Sequence, residues 1–394
     1  MDFTHLSNIQ NVLDDAVKNK KLAGANCLVY KDGKEMGYFE NGFRDMESNK
    51  PFSRDTICRL YSMTKPVTGV AAMKLLEDGK IDLFDEVSEY IPSFKNMTCM
   101  KNGKVEKCTR PLIIQDLLNM TSGISYGGET DEAHKNISKL IYAPGGLNES
   151  VLGTNNITTQ DVAKKISEGP LSFEPGTDYE YGMSADVMGA VIEIVSGMKF
   201  GDYLKKNIFE PLGMNDTAFY VPEEKQTRLS KVYALKDGEL ELFTSPNLGI
   251  QDNMKLNPAF ESGGAGLCST VDDYMKFVLM LTNYGTLDGK QILKPETVRF
   301  MSEAKLRPNL QKCFDIKMEH LAGYTYTNLN RVCIEPGLLR GITVKGEFGW
   351  DGWLGPYMSV DLKNNLSIVY MMQKTDSGTV STTRRIKNII YTSL

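Results

Sequence analysis

The amino-acid sequence predicts an α/β protein of the α+β type, in which helices flank one antiparallel sheet built from both ends of the chain. Strand patterns joined by turns occur near the N-terminus and again near the C-terminus, and helical patterns fill the region between them. With 394 residues, of which 41% are hydrophobic, the chain can bury a large core. We therefore expect residues 1–95 and 285–394 to form a sheet domain and residues 96–284 to form an inserted, mostly helical domain. The functional site is expected in the cleft between them.

The N-terminal part contains a helix, a hairpin and a second helix. Residues 6–20 carry apolar side chains at the spacing of one helix face, and residues 25–30 and 35–41 form two strand patterns around the turn at 31–34. An apolar helical pattern follows directly after Ser62. This order places the first two strands of the sheet ahead of a buried helix.

Glycine and proline mark the ends of several later elements. Gly197 follows one helical pattern and Pro295 opens another, in the positions that these residues favour at helix ends. The further predicted elements are helices over 186–196, 200–208, 272–284, from 295 and over 381–391, and strands over 355–361 and 366–373 around a turn at 362–365.

Composition excludes several classes of partner. A formal net charge of −5 is small for this length, so the charge does not favour nucleic acid or an anionic membrane surface. No uninterrupted apolar run approaches the ~20 residues that span a bilayer, and the first residues lack the basic and apolar regions of a secretory signal. We expect a cytoplasmic protein that acts on a small molecule. The sequence does not indicate an oligomeric state.

The cysteines and histidines do not form a recognisable metal motif. The seven cysteines are odd in number and widely scattered, which favours free thiols. The turn predicted at residues 102–103 sets Cys99 opposite Glu106 rather than opposite Cys108. None of the three histidines has a ligand-spaced histidine or cysteine beside it. We therefore expect neither a metal ion nor a cofactor.

The tetrad Ser62-Met63-Thr64-Lys65 carries the most specific chemistry. Positions i and i+3 share a helix face, so the Ser62 hydroxyl and the Lys65 amine come within hydrogen-bond reach. Serine is a weak nucleophile until a base takes its proton, and a lysine in a dry pocket loses its own proton and becomes such a base. The tetrad alone also fits an ordinary serine N-cap, because Ser-x-x-Lys is common by chance. The catalytic interpretation depends on the motifs downstream.

Two later segments supply such motifs. Tyr181 stands just before a buried helical pattern, and a tyrosine whose pKa is lowered by a nearby ammonium group can shuttle protons between nucleophile and leaving group. Residues 348–356 hold both tryptophans, Trp350 and Trp353, together with glycines such as Gly352 that let backbone N–H groups approach a ligand. Each segment alone is also compatible with a purely structural role.

The three motifs together resemble those of the serine hydrolases related to class C β-lactamases and low-molecular-weight penicillin-binding proteins. Supporting segments that resemble the same family occur in the family's order, at residues 59–66, 116–124, 209–214 and 263–267. The resemblance runs from about residue 6 to the C-terminus. It implies a β-lactamase/transpeptidase-like fold and a serine hydrolase that forms an acyl-enzyme on Ser62.

Two departures from the class C pattern bear on the substrate. Class C β-lactamases carry Tyr-x-Asn at the second motif, whereas residues 181–183 are Tyr-Gly-Met and lack the amide. The third motif of the family is Lys-Thr-Gly or His-x-Gly, whereas residues 350–352 are Trp-Asp-Gly, so an indole replaces the cation. These motifs look most like those of the family VIII carboxylesterases. The resemblance therefore implies short-chain esters rather than β-lactams or peptidoglycan stems that carry a carboxylate.

The resemblance also implies roles for individual residues. Lys65 and Tyr181 would form a general-base pair, and the backbone N–H groups of Ser62 and Trp353 would form the oxyanion hole. The residues expected to contact the substrate are Trp350, Gly352, Tyr126 and Met183.

Other interpretations of the sequence stay open. The same site is expected of a β-lactamase or of a D-amino-acid peptidase or amidase, and the altered motifs are also expected of a catalytically silent binding module. Residues 123–127 fit the G-x-S-x-G nucleophile elbow around Ser125. That elbow needs a strand before the serine, a helix after it and a downstream histidine, and the loop-like sequence on both sides does not favour it. We therefore expect Ser62, rather than Ser125, to be the nucleophile.

Overall fold

The computed structural model describes residues 1–394 as one large sheet with helices on both faces, together with four two-stranded sheets. The helices are α1 Phe3–Leu6, α2 Asn8–Lys18, α3 Lys65–Glu77, α4 Val87–Tyr90, α5 Ile114–Leu118, α6 Glu132–Tyr142, α7 Leu147–Ser150, α8 Thr159–Ser167, α9 Ser184–Ser196, α10 Phe200–Leu204, α11 Glu210–Leu212, α12 Val271–Thr282, α13 Pro295–Glu303, α14 Pro308–Lys317 and α15 Ser381–Thr392. Single turns of 3-10 helix occur at Tyr61–Thr64, Pro92–Asn96, Glu223–Arg228, Glu319–Leu321 and Pro336–Leu338, and a π-helical turn occurs at Lys205–Phe209.

The strands of the large sheet come from both ends of the chain. The strands are β1 Gly24–Lys31, β2 Lys34–Asp45, β3 Lys50–Pro51, β4 Cys58–Arg59, β5 Thr98–Lys101, β6 Lys104–Lys107, β7 Val232–Lys236, β8 Glu239–Phe243, β9 Cys268–Ser269, β10 Thr286–Leu287, β11 Lys290–Gln291, β12 Tyr324–Thr327, β13 Asn330–Cys333, β14 Phe348–Gly349, β15 Tyr357–Asp361 and β16 Leu366–Met372. The order in the eight-stranded sheet is β12-β13-β14-β15-β16-β1-β2-β3, and its neighbours are antiparallel. The predicted fold class is confirmed.

The predicted hairpins follow from local backbone chemistry. Asp32 and Gly33 join β1 to β2 with φ angles of 51° and 71°, and this pair of positive φ values is typical of the two-residue turns that match strand twist. The residues at 102–103 do the same for β5 and β6, so Cys99 pairs with Glu106 as predicted.

The two faces of the sheet bury different sets of side chains. In β16, Ile368 and Tyr370 face the side covered by α2 and α15, whereas Val369 and Met371 belong to the larger core on the other side. Helix α12 packs on that inner side against β1, β15 and β16. Because both faces are covered, β16 is buried along its whole length.

Helix α3, which follows the predicted nucleophile, is buried on nearly all sides. It packs against α9 and against β13. Gly69 permits this approach, since a Cβ atom there would lie 2.5 Å from the carbonyl oxygen of Asn328. One core of 75 buried residues continues from the helices around α9 to the inner face of the sheet. The division into two domains stays a prediction.

None of the helices combines the length and the apolar character that crossing a membrane would require.

Candidate active site

Ser62 lies at the surface end of an otherwise buried turn. It belongs to the 3-10 turn Tyr61–Thr64, and it is partly exposed whereas its neighbours are buried. Tyr61 adopts a φ of 45°, which is costly for a bulky residue, and its ring packs edge-on against Trp353 with ring centres 5.0 Å apart. This backbone conformation immediately before Ser62 is the kind of local strain that clusters at functional sites.

The Lys65 amine is fully buried and contacts three oxygen atoms. Its Nζ lies 3.1 Å from Ser62 Oγ, 2.8 Å from the Tyr126 hydroxyl and 2.8 Å from the carbonyl oxygen of Gly264. Burial lowers the pKa of Lys65 to about 7, because the ammonium form loses its hydration, although Asp186 acts in the opposite direction. A neutral amine has two N–H donors and one lone pair. With the donors directed to Gly264 and Tyr126, the lone pair faces Ser62.

The Gly264 carbonyl is held in place by residues of α9 and α3. The Asp186 carboxylate accepts hydrogen bonds from the Gly264 N–H at 3.2 Å and from the Ser262 hydroxyl. The Thr68 hydroxyl donates to the neighbouring carbonyl of Gly263 at 2.7 Å. Sequence reasoning did not find the Gly264 acceptor, because a backbone carbonyl has no side chain to mark it. The glycine pair at 263–264 and the acidic residue at the start of α9 were the visible signals.

The structure places Tyr126, an expected substrate contact, against Lys65. Its hydroxyl accepts a hydrogen bond from the Lys65 amine, and its role in substrate binding stays a prediction. Tyr181 lies beside it, with ring centres 5.7 Å apart. The two loops can approach this closely because Gly182 has no side chain. A Cβ atom at this position would lie 2.0 Å from the carbonyl oxygen of Ile124.

Both phenol groups are in the neutral form near pH 7. Burial raises the pKa of Tyr181 and of Tyr126 above the ordinary value for tyrosine. This differs from the expectation that a neighbouring ammonium group lowers the pKa of Tyr181. The reason is that Tyr181 is itself buried, so a phenolate there would lose its hydration.

Trp350 contacts Tyr181 directly instead of lining an open pocket. Its indole Nε1 donates to the Tyr181 hydroxyl at 2.8 Å, and its side chain is only 4% exposed. On the other side, its ring packs edge-on against Tyr326. Trp350 thus fixes the position of the Tyr181 hydroxyl, and its role as a substrate contact stays a prediction.

Two further expected substrate contacts, Gly352 and Met183, lie against other parts of the protein, and their role in substrate binding stays a prediction. A Cβ atom on Gly352 would lie 2.1 Å from the carbonyl oxygen of Leu60, so this glycine allows two protein segments, rather than a ligand, to approach each other. Met183 is 1% exposed and lies in the core at the start of α9. Its side chain turns inward because the chain enters a helix that is apolar along most of its length.

Trp353 lies next to Ser62 through its contact with Tyr61. Its backbone N–H donates no hydrogen bond within the protein. Its carbonyl accepts from the Ser377 N–H at 2.9 Å, and its indole donates to Asp376 at 2.8 Å. The segment is thus fixed while its N–H group stays available, as an oxyanion hole requires.

One group of potential metal ligands occurs, and it involves none of the residues around Ser62. Atoms of Cys99, Cys108 and Glu174 lie within 4.8 Å of one another. The Lys101 ammonium group already pairs with Glu174 at 2.5 Å. This pairing competes with binding of a cation to the carboxylate.

Comparison with known proteins identifies the family. Residues 9–390 match the family model described as Beta-lactamase. The chain belongs to this family. Among its relatives, esterase EstB of Burkholderia gladioli is 24% identical over 94% of this chain and 91% of its own length. Lovastatin esterase of Penicillium rubens is 28% identical over 91% of this chain and 90% of its own length.

A solved structure supports the same fold. EstCE1, described as a hydrolase with promiscuous acyltransferase activity, superimposes with a TM-score of 0.80 at 24% identity and covers 99% of both chains. The predictions of the family, of the fold class and of a serine hydrolase are confirmed. The individual site residues stay predictions, and the geometry above gives each of them a test.

The pKa of Lys65 predicts how reactivity depends on pH. Only the neutral amine accepts the Ser62 proton, and a lysine is neutral above its pKa. We therefore expect the rate at which a fluorophosphonate probe labels Ser62 to rise with pH through a midpoint near 7. The measurement is labelling by intact mass between about pH 5.5 and 9. Lys65→Arg, which stays charged over this range, is the control and should label at a low, flat rate. A wild-type rate that is constant across neutral pH would contradict the assignment.

Proposed function

We propose that this protein is a carboxylesterase that hydrolyses neutral short-chain esters through an acyl-enzyme on Ser62. The single observation that carries the proposal is the buried Lys65 amine, whose pKa of about 7 and whose distance of 3.1 Å from Ser62 Oγ suit a general base at neutral pH. The names of the relatives EstB and lovastatin esterase support an ester substrate.

In the acylation step, Ser62 Oγ attacks the carbonyl carbon of the ester and its proton passes to the lone pair of Lys65. The C–O bond to the alcohol breaks, and the Tyr181 hydroxyl donates its proton to the departing oxygen. The products are an ester on Ser62 and a free alcohol, and the Lys65 ammonium then returns a proton to the Tyr181 phenolate, because the pKa of Lys65 is lowered and that of Tyr181 is raised. The Trp350 indole N–H, 2.8 Å from the Tyr181 oxygen, stabilises the phenolate.

In deacylation, water attacks the acyl carbon and gives a proton to the neutral Lys65 amine. The Ser62 oxygen leaves the tetrahedral intermediate and takes this proton from the Lys65 ammonium. A carboxylic acid is released, and all three side chains return to their starting state. The N–H groups of Ser62 and Trp353 would hold the oxyanion in both steps, and each such donor contributes roughly 3 kcal/mol.

The absence of a cation at the second and third motifs favours neutral substrates. Where carboxylate-binding relatives have an amide and a cation, this chain has Met183 and Trp350, of which the first is buried in the core and the second uses its N–H on Tyr181. A substrate carboxylate placed there would lose its hydration without a charged partner. Arg340, a basic residue shortly before the third motif in the sequence, is exposed and pairs with Glu319.

The first prediction concerns the nucleophile. Ser62→Ala should lower ester turnover by at least ~10³-fold, because Ser62 has a base within hydrogen-bond distance. Ser125→Ala is the matched control and should keep most activity, since Ser125 is 2% exposed and its Oγ only accepts a loop hydrogen bond from Gly127. The measurement is hydrolysis of p-nitrophenyl butyrate, with peptide mapping of the acyl adduct. An adduct on Ser125 would overturn the assignment. No adduct on any serine would favour the silent binding module.

The two tyrosines should separate by pH profile. Tyr181→Phe removes the proton donor, so kcat should fall by ~10²–10³-fold while the pH midpoint stays near that of the wild type. Tyr126→Phe removes an acceptor that stabilises the Lys65 ammonium more than the neutral amine. Its pH midpoint should therefore move to lower pH, with a smaller loss of kcat. If Tyr126→Phe showed the large loss of kcat and Tyr181→Phe showed the shifted pH midpoint, the roles proposed for the two residues would have to be exchanged.

The substrate class is tested with two esters that differ only in charge. We expect the methyl ester of p-nitrophenyl hydrogen glutarate to exceed the free acid in kcat/KM. We also expect a neutral short-chain ester to exceed benzylpenicillin by at least ~10²-fold, which corresponds to about 2.7 kcal/mol. Equal turnover of the charged and neutral esters would show that some cation meets the carboxylate, and efficient hydrolysis of benzylpenicillin would favour the β-lactamase alternative.

A further inference from the structure

A cavity of about 400 Å³ lies on the outer side of the sheet, against α15, and involves none of the residues around Ser62. Four basic side chains line it: Arg331 of β13, Arg340 of the following loop, and Arg384 and Lys387 of α15. No carboxylate is among its lining residues. A cavity of this size is within the range of small-molecule sites, and the distribution of charge on its walls is one-sided.

The floor of the cavity consists of buried cations that exceed their carboxylate partners. Arg331 and Lys387 share a single buried carboxylate, Glu347, at 3.1 Å and 3.0 Å. The Nη1 atom of Arg331 is buried and has no hydrogen-bond partner, and the guanidinium group lies over the rings of Tyr357 and Tyr324 at 4.7 Å and 5.4 Å.

The rim adds two arginines that can turn toward a ligand. Arg384 is exposed, and its Nη1 donates only to the carbonyl oxygen of Thr379 at 2.7 Å. Arg340 pairs with Glu319 at 3.1 Å, but both side chains of this pair are mostly exposed, so the pair is weak and exchanges easily. Floor and rim together therefore present guanidinium groups from several directions.

The opposing charges near the cavity do not cancel this excess. Glu347 neutralises one of the two floor cations, and Glu319 meets Arg340 outside the cavity. Asp351 accepts a hydrogen bond from Thr379 of the cavity wall. Three carboxylates thus stand against four basic side chains, which leaves an excess of positive charge.

We propose that this cavity binds a small organic phosphate. Planar guanidinium forks match phosphate oxygens in pairs, and the three terminal oxygens of a phosphate monoester can meet guanidinium groups from several directions, whereas a carboxylate offers only two oxygens. The volume exceeds that of inorganic phosphate alone. The side chains of Tyr324 and Leu339 on the wall would contact the organic part. The proposal does not depend on esterase activity, because the ligand contacts none of the residues around Ser62.

The experiment is isothermal titration of the full chain, as wild type and as Ser62→Ala, with glycerol 3-phosphate at fixed ionic strength. We expect saturable one-site binding to both proteins, weaker binding of inorganic phosphate and no saturable binding of acetate. Arg384→Gln and Arg340→Gln should each weaken glycerol 3-phosphate at least ~10-fold. Arg385→Gln is the matched control, since Arg385 is an exposed neighbour on the same helix that does not line the cavity. It should change the affinity less than about twofold.

Three results would overturn the proposal. Absence of saturable binding would refute the site. Equal weakening by Arg384→Gln and Arg385→Gln would show a general effect of surface charge. Inorganic phosphate that binds as tightly as glycerol 3-phosphate would refute the organic contact. Because these variants alter exposed side chains, loss of folding does not obscure the result, and a thermal melt of each variant checks it.

Discussion

The removal of the Lys65 amine from water is the constraint on which the rest of the site depends. A lysine in solution is almost fully protonated at neutral pH and cannot accept the serine proton. Burial changes this by withdrawing hydration from the ammonium form, and only oxygen dipoles, without a contacting carboxylate, replace that hydration. The burial of α3 on nearly all sides is therefore a chemical requirement as well as a packing result.

Glycine makes the convergence of the surrounding segments possible. Gly182 allows the loop of Tyr181 to lie against the loop of Tyr126, and Gly352 allows the segment of Trp350 to lie against the chain just before Ser62. At each position a Cβ atom would overlap a carbonyl oxygen of the other segment. The catalytic side chains are thus brought together by backbone contacts that larger residues would prevent.

These contacts also explain how much of the site could be predicted from the sequence. The proximity of Ser62 and Lys65 depends only on helical spacing, and the hairpins depend only on residues that tolerate positive φ. Both features could therefore be predicted from short stretches of sequence. The bonds of Lys65 to Tyr126 and of Trp350 to Tyr181 join residues 61 and 169 positions apart. No local pattern encodes such pairs, because they depend on how separate loops pack.

The two buried lysines of this chain, Lys65 and Lys387, show what decides the chemistry of a buried amine. Lys65 contacts only a serine hydroxyl, a phenol and a carbonyl, and its pKa falls to about 7. Lys387 is also buried, but it contacts the Glu347 carboxylate at 3.0 Å, and this pairing outweighs the loss of hydration and raises its pKa. Burial alone therefore does not produce a base. Lys65 can be neutral near pH 7 because Asp186 makes no hydrogen bond to it and acts on it only through its charge, whereas Lys387 keeps its positive charge beside Glu347.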